Sequence, residues 1–231
     1  MKKLVFQASQ SLMQAANRAN GLAAGAQALL WMAPIGIFVI GGRGLPTPGS
    51  FNDPATALSI IQASLDVTIV AGFICAIGVA EVFVVLAAAD RLEECAPKWT
   101  RLSVAFGIIA ASFLMIDGAL GMAALPRLAQ MEVHQQMVDG AYLATLGFRS
   151  GIDRVIPLTL GLWALTSSWP AWQHRRLPRP LTVGGLLLGL VGVAGAVLPV
   201  AGLATLTLIP LWTAGFAIVL FREQPAVQSS S

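Results

Sequence analysis

Six apolar blocks dominate this chain, and each is long enough, or nearly so, to cross a lipid bilayer as a helix. A transmembrane helix needs about 20 apolar residues, because each residue rises about 1.5 Å through a hydrocarbon core about 30 Å thick. The blocks occupy residues 22–40, 67–89, 102–125, 152–172, 181–198 and 203–221. Only "PVAG" separates the last two, so a single re-entrant pair is the alternative for them. The sequence predicts an all-α fold: a polytopic integral membrane helical bundle with six transmembrane helices.

The composition supports this interpretation. Of the 231 residues, 56% are hydrophobic and only 11% are charged, whereas soluble domains contain about 25% charged residues. We therefore expect one membrane domain at residues 21–223, followed by a polar, disordered tail at 224–231. Polar residues separate "MKKLVF" from the first apolar block, which favours an uncleaved interfacial segment at residues 1–20 over a signal peptide.

The basic residues divide between the two ends of the predicted helices. Ten of the fourteen lie at one end: Lys2, Lys3, Arg18, Arg91, Lys98, Arg101, Arg175, Arg176, Arg179 and Arg222. The other four lie at the opposite end: Arg43, Arg127, Arg149 and Arg154. Positive residues mark the cytoplasmic side of a membrane. Both termini are therefore predicted to be cytoplasmic, in the inner or plasma membrane, and the net charge of +3 gives no indication of nucleic acid binding.

Two predicted loops on the outer side are long. "GGRGLPTPGSFNDPA" is rich in Gly and Pro and predicts an irregular loop. In the segment 126–150, apolar residues recur at helical spacing, which predicts an amphipathic helix lying along the membrane surface. A connection of that length is typical of a lid, a binding surface or a partner contact. His134, within it, is interpreted as a solvated loop residue.

One carboxylate, Glu81, lies inside the second apolar block, in "GVAEVFVVLAAADRLEE". It precedes Asp90 by nine residues, which places it about 13 Å from the inner boundary and close to the bilayer midplane. A charged carboxylate there costs several kcal/mol, so Glu81 needs a partner or a proton. Gln27, Thr166 and Thr213 lie at the same depth, and a polar layer of these four residues is predicted.

A second polar group is predicted nearer the outer side. Asp117 follows Arg101 by sixteen residues, or about 24 Å, and Arg154 begins the fourth block. We expect Arg154 to pair with Asp117 or with Asp66 at the outer mouth of the bundle. Asp153 is expected to cap the fourth helix.

Structural roles remain open alternatives for these residues. Glu81 is either a proton or ligand site, a structural hydrogen-bonding group between helices, or a side chain that reaches the interface. Gln27, Thr166 and Thr213 are more often plain hydrogen-bonding residues within helices. Asp117 and Arg154 are equally well explained as a structural ion pair.

Small residues indicate how the helices pack. Gly185, Gly189 and Gly192 follow one face of the fifth helix and include the small-xxx-small pattern "GLLLG". Such a face favours an ordinary packed bundle, with a homodimer contact or a lipid groove as alternatives.

Signals for enzymatic chemistry are absent from the sequence. It contains no GxSxG, HExxH, GxxxxGK[ST] or GxGxxG motif, and its Ser pair at 167–168 has no His at matching depth. Cys75 and Cys95 are too far apart in the predicted helices for a disulfide, and no metal-ligand spacing occurs. We predict no catalytic residue, no metal and no cofactor.

Two stretches carry a family resemblance. They are "VTIVAGFICAIGVAEVFVVLAAADRLEE" and "RRLPRPLTVGGLLLGLVGVAGAVLP", together with the break after the first block. Over residues 21–223 the chain resembles the bacterial six-helix membrane proteins grouped as domain of unknown function 4386. The resemblance implies a six-helix membrane fold, and it implies no activity and no catalytic residues.

Two functions are consistent with these observations. The first is binding or transport of a small molecule or proton through a polar intramembrane cavity that holds Glu81, with Asp117 and Arg154. The second is an accessory subunit of a membrane complex, which docks a partner or a second copy through the Gly face and the segment 126–150. An intramembrane enzyme ranks last. The lipid bilayer is the one partner that composition itself requires.

Overall fold

A computed structural model describes residues 18–33, 53–63, 65–131 and 135–222 of the chain. Within these residues all regular structure is helical and no strand occurs. The helices are α1 (18–33), α2 (Pro54–Ala63), α3 (Leu65–Leu92), α4 (Pro97–Ala119), α5 (Leu125–Ala129), α6 (Gln135–His174), α7 (Arg179–Gly195) and α8 (Pro199–Arg222). A π-helical segment, Leu120–Ala124, joins α4 to α5. The predicted all-α fold is confirmed.

Three described helical stretches are long and apolar enough to cross a membrane. They are Val67–Leu92, Pro97–Ala129 and Pro199–Arg222. The helix α7 is apolar but has only 17 residues, and α6 combines its apolar stretch with prolines and hydroxyl side chains that lower its hydropathy. The first predicted block is described only as far as residue 33. The number of spans and the orientation of the termini remain predictions.

Local sequence signals explain where several helices begin. At α2, the Asp53 carboxylate accepts hydrogen bonds from the hydroxyl (2.5 Å) and the backbone N–H (2.9 Å) of Thr56. These two bonds lower the pKa of Asp53, because they stabilise its charged form. Proline occupies the first turn of α4 and of α7, where its fixed φ and missing N–H cost nothing.

The segment 126–150 does not form a separate surface helix, and that prediction is wrong. The π-helical segment and α5 prolong α4 to Ala129, and residues 135–150 are the first turns of the 40-residue helix α6. Of the apolar residues at helical spacing, Val138 is buried and Leu128 partly buried, whereas Met131 and Met137 are exposed. Val138 and Tyr142 pack against α2 and α5 in a small cluster at this end of the molecule. The periodicity therefore belongs in part to the first turns of α6, whose buried side packs on protein.

Glycines bring the backbones of α3 and α4 into contact. A Cβ atom on Gly118 would lie 2.5 Å from the backbone nitrogen of Cys75, and one on Gly78 would lie 2.8 Å from the carbonyl oxygen of Ala111. Such approaches are possible only without a side chain. The two helices form a tightly packed antiparallel pair.

The predicted glycine face of α7 packs against α6. A Cβ on Gly185 would lie 2.0 Å from Ser168 Oγ, and one on Gly189 would lie 2.3 Å from Leu165 Cγ. A Cβ on Gly192 would lie 2.6 Å from the carbonyl oxygen of Pro157. This face is engaged within the chain, so it does not offer a surface to a second copy.

Aromatic side chains fill the centre of the bundle. Trp163 of α6 meets Trp212 of α8 edge to face, with ring centroids 5.2 Å apart, and Trp212 stacks on Phe216 at 5.7 Å. Gly107 of α4 leaves room for Trp163, because a Cβ there would lie 3.0 Å from its Cδ1 atom. The core thus joins α4, α6 and α8.

The helix α1 lies between α3 and α8. Gly21 faces the ring of Phe221 near the end of α8, and Ala24 belongs to the main core. The predicted interfacial segment 1–20, except for residues 18–20 in α1, and the predicted tail 224–231 lie outside the described residues.

Candidate functional site

Glu81 has a partner, and that partner is Gln27. The Gln27 amide nitrogen on α1 donates a hydrogen bond to Glu81 Oε2 on α3, and both side chains are 0% exposed. The amide oxygen of Gln27 (Oε1) and the second carboxylate oxygen of Glu81 (Oε1) are buried without a hydrogen-bond partner in the described part of the chain. The pair therefore makes one hydrogen bond, and two of its acceptor oxygens have no donor among the described residues.

The pair forms a closed contact between helices rather than the lining of a cavity. Ala24 and Val84, one turn away on their respective helices, are buried in the main core. Neither Gln27 nor Glu81 lines any of four prominent cavities of about 200 to 650 Å³ in the described part of the chain. This geometry favours the structural alternative for Glu81 over the polar cavity.

The other two residues of the predicted polar layer bond to their own helices. The Thr166 hydroxyl donates to the carbonyl oxygen of Leu162 at 2.7 Å, and the Thr213 hydroxyl donates to that of Ile209 at 3.0 Å. Both threonines are buried. Backbone bonding of this kind is the common fate of threonine in apolar helices. Of the four residues, the structure joins only Gln27 and Glu81 by a hydrogen bond.

A second buried polar contact lies between α4 and α6. Asp117 pairs with Arg149 through two bonds, from Nε to Oδ1 at 2.6 Å and from a terminal guanidinium nitrogen to Oδ2 at 3.0 Å. Asp117 is almost fully buried, and Arg149 is partly buried. The predicted pairing of Asp117 with Arg154 is therefore wrong. Arg154 lies one and a half turns further along α6 and is exposed. The side chain of Asp66 is outside the described residues.

A cavity of about 310 Å³ adjoins this ion pair and is the candidate functional site. We call it the outer cavity, because it lies at the end of the bundle predicted to face outward. Its walls combine four aliphatic side chains with one phenol and two charged groups. The lining residues are Ile61, Val67, Leu125, Tyr142, Leu146, Arg149 and Asp153. A mostly apolar cavity with a few polar groups on one wall is typical of small-molecule sites.

The polar wall of the outer cavity carries Arg149 and the exposed carboxylate of Asp153, and Asp117 pairs with Arg149 from outside the lining. Arg149 interacts electrostatically with both Asp117 and Asp153, so two carboxylates face one guanidinium. Burial raises the pKa of the Tyr142 hydroxyl, and the phenol stays neutral at physiological pH. The site therefore presents an aromatic ring, an apolar wall and, in Asp153, a carboxylate that shares the guanidinium of Arg149 with Asp117.

Sequence reasoning missed Arg149, Tyr142 and Leu146. These residues and Asp153 recur at intervals of three or four along α6, which places them on one helical face. This spacing is present in the sequence, but it indicates a shared face only if residues 135–150 and the fourth apolar block form one continuous helix. The sequence analysis treated 126–150 as a separate loop, so the shared face was not recognised.

Metal chemistry finds no support in the described ranges, where no group of three His, Cys, Asp or Glu side chains lies close enough to hold an ion. Cys75 and Cys95 are both free thiols.

Comparison with known proteins identifies the family. A family model described as a domain of unknown function (DUF4386) matches residues 28–222. The chain belongs to this family. The match confirms the resemblance seen in the sequence and includes the outer cavity, whereas Gln27 lies one residue before it. No curated protein and no solved structure matches the chain. Membership of DUF4386, together with the three long apolar helices, fits a membrane protein.

Proposed function

We propose that this DUF4386 protein spans the membrane six times, with both termini in the cytoplasm, and binds a small amphipathic molecule in the outer cavity. Three helices of sufficient length and the shorter apolar helix α7 support the span count. The distribution of the basic residues supports the orientation. The first and fourth apolar blocks of the sequence are the two remaining proposed spans.

One observation carries the binding proposal: Arg149, which lines the outer cavity, is held there by an ion pair with Asp117, a residue outside the lining. A buried ion pair contributes little net stability, since desolvation of both charges offsets their attraction. A cavity beside it leaves contacts unmade that a packed core would have. The π-helical segment Leu120–Ala124 follows Asp117 by three residues, and such segments occur frequently at functional sites. Three costly features at one place support a functional site there.

The lining defines the class of ligand. The aliphatic wall suits an apolar body of a few carbon atoms, and the ring of Tyr142 with the carboxylate of Asp153 suits a cationic head. Arg149 makes two hydrogen bonds to Asp117 and interacts with Asp153 electrostatically, so it is shared between the two carboxylates. A small alkylammonium compound combines these properties.

This proposal separates binding from the Glu81 pair. The hydrogen bond between Gln27 and Glu81 holds α1 against α3, and both side chains are fully buried. Transport through a cavity at Glu81 has no support from this arrangement. The accessory-subunit alternative relied on two surfaces, the glycine face of α7 and the segment 126–150. The glycine face packs against α6, and Val138 and Tyr142 of the segment 126–150 pack against α2 and α5, while Met137 and Phe148 of that segment are exposed.

The test compares two tryptophan variants on α6. Leu146 lines the outer cavity, whereas Leu143 is half exposed and points away from it. Hexyltrimethylammonium is expected to raise the unfolding temperature of the full-length protein and of Leu143→Trp, and to leave that of Leu146→Trp unchanged. Hexanesulfonate, which has the same chain with an anionic head, is expected to have no effect. Equal shifts with both compounds, or an undiminished shift in Leu146→Trp, would overturn the proposal.

A further inference from the structure

A long apolar groove runs between α7 and α8 on the surface of the bundle. Its volume is about 550 Å³, and its lining is mostly aliphatic. Gly184 and Gly215 contribute no side chains and open the groove, while Leu187 and Leu211 form exposed walls. Trp212 closes the inner side, where its indole N–H donates to the carbonyl oxygen of Leu181 at 2.9 Å.

The groove has the length of one lipid molecule. Its lining on α8 extends from Leu208 to Arg222, and the fourteen helical steps between them span about 21 Å. Half of a bilayer, counted with its headgroup region, is about 20–22 Å thick. A single phospholipid placed along the groove would therefore reach from the headgroup region to the end of its acyl chains.

The charge at the two ends of the groove indicates how a phospholipid would be oriented in it and which headgroup charge it would carry. One end is formed by Leu208 and Leu211, which are apolar and exposed. The other end is formed by Arg222, in the last turn of α8. Arg175, Arg176 and Arg179 lie in and beside the connection between α6 and α7 at the same end of the bundle. A basic end is complementary to a phosphate-bearing, anionic headgroup.

We propose that this groove binds one anionic phospholipid of the leaflet on the basic side of the membrane. The acyl chains lie between α7 and α8 over Gly184 and Gly215, and the headgroup contacts Arg222. The inference rests on the proposed membrane orientation but is independent of the ligand of the outer cavity. Lipid is the proposed occupant because a flexible acyl chain can fill the apolar groove over Gly184 and Gly215, and the anionic headgroup matches the positive charge of Arg222 at its end.

Two pairs of variants separate the acyl-chain contact from the headgroup contact. Gly184→Leu fills the groove, and it should fold, because a Cβ there would meet only Trp212 Cδ1, at 3.7 Å. Val183→Leu adds bulk at the neighbouring exposed position as the control. Arg222→Gln removes the charge at the groove, and Arg101→Gln removes an exposed charge from the predicted same side, at the start of α4.

Native mass spectrometry of the full-length protein in detergent provides the measurement, with added phosphatidylglycerol or phosphatidylcholine of identical acyl chains. We expect one retained phosphatidylglycerol and weaker retention of phosphatidylcholine. Gly184→Leu is expected to abolish the retention. Arg222→Gln should weaken it about fivefold, the effect of one basic residue at an anionic surface. The two control variants are expected to behave as the unmodified protein does.

Three results would overturn the inference. They are equal retention of both lipids, undiminished retention in Gly184→Leu, and a dimer that Gly184→Leu dissociates, which would assign the groove to a second copy of the chain. The hexyltrimethylammonium shift, measured on the same variants, reports on the outer cavity alone. A failure of the lipid site is thereby distinguished from a failure of the proposed function.

Discussion

Gln27 and Glu81 lie 54 positions apart in the sequence, and they meet in the interior through a hydrogen bond donated by the Gln27 amide. The bond joins α1 to α3, and both side chains are fully buried. It explains how a carboxylate is tolerated in an apolar helix, since a neighbouring helix supplies a donor. It also leaves one oxygen on each side chain without a described donor.

Substitutions of Glu81 should show whether its hydrogen bond or its charge contributes to the stability of the protein. Glu81→Gln is expected to leave the free energy of unfolding unchanged or raised, because the new amide accepts from Gln27 Nε2 and donates to Gln27 Oε1. Glu81→Leu should lower it by about 1–3 kcal/mol, since Gln27 then lacks any partner. Denaturation in mixed micelles, followed by tryptophan fluorescence, measures both changes.

The double variant supplies the control for this pair. Gln27→Leu combined with Glu81→Leu should recover part of the loss, with a coupling energy of about 1 kcal/mol. Strictly additive losses would show that the two side chains act independently, and the described bond would then have no energetic role.

Loss of Arg149 should destabilise the protein more than loss of its neighbour Arg154. Arg149→Met leaves the buried carboxylate of Asp117 without its partner, and we expect a loss of about 2–3 kcal/mol. Arg154→Met removes an exposed charge and should cost less than about 0.5 kcal/mol. The same denaturation measurement applies, and equal losses in the two variants would contradict the assigned ion pair.

Two glycines on α7 should respond oppositely to alanine. Gly192→Ala places a Cβ 2.6 Å from the carbonyl oxygen of Pro157 and should cost about 1–3 kcal/mol by forcing α6 and α7 apart. Gly184→Ala meets no atom closer than 3.7 Å and should be neutral or stabilising by up to about 1 kcal/mol, because alanine favours helix. If Gly192→Ala is as stable as Gly184→Ala, the close packing of α6 on α7 is wrong.

Thiol labelling tests the proposed orientation. Cys95 lies in the turn between α3 and α4, on the side proposed to be cytoplasmic. A membrane-impermeant maleimide should label it only after the cells are permeabilised.

Val197, which is 81% exposed in the turn between α7 and α8, lies on the side proposed to face outward. Val197→Cys on a Cys95→Ser background should therefore be labelled in intact cells. The reverse pattern would invert the topology, and labelling of neither or both sites in intact cells would reject the six-span arrangement.

Some of this architecture could be predicted from apolar length and glycine spacing alone. The helical character of the described blocks and the burial of Glu81, Gln27, Thr166 and Thr213 follow from the cost of placing polar groups in an apolar environment. The glycine spacing on α7 indicated a close helix contact because only a missing side chain allows that approach. These are local properties, and the sequence contains them directly.

The pairing of side chains between helices could not be predicted in the same way. Depth along a helix placed Arg154 near Asp117, but the direction in which each residue points depends on helix rotation, which packing decides. Residues 135–150 were predicted to belong to a surface helix because periodicity does not show that a helix continues into the next block. They are the first turns of α6, with Val138 buried against α2 and α5 and Met137 exposed. Joining them to α6 brings Arg149 to Asp117 and creates the outer cavity.

The most direct test measures hexyltrimethylammonium stabilisation in Glu81→Gln and Leu146→Trp side by side, with Leu143→Trp as the control for Leu146→Trp. Glu81 is enclosed between helices, whereas Leu146 lines the outer cavity. We predict that Glu81→Gln and Leu143→Trp retain the full upward shift in unfolding temperature and that Leu146→Trp loses it. Loss of the shift in Glu81→Gln, with a full shift in Leu146→Trp, would return the ligand site to the centre of the membrane and contradict this account.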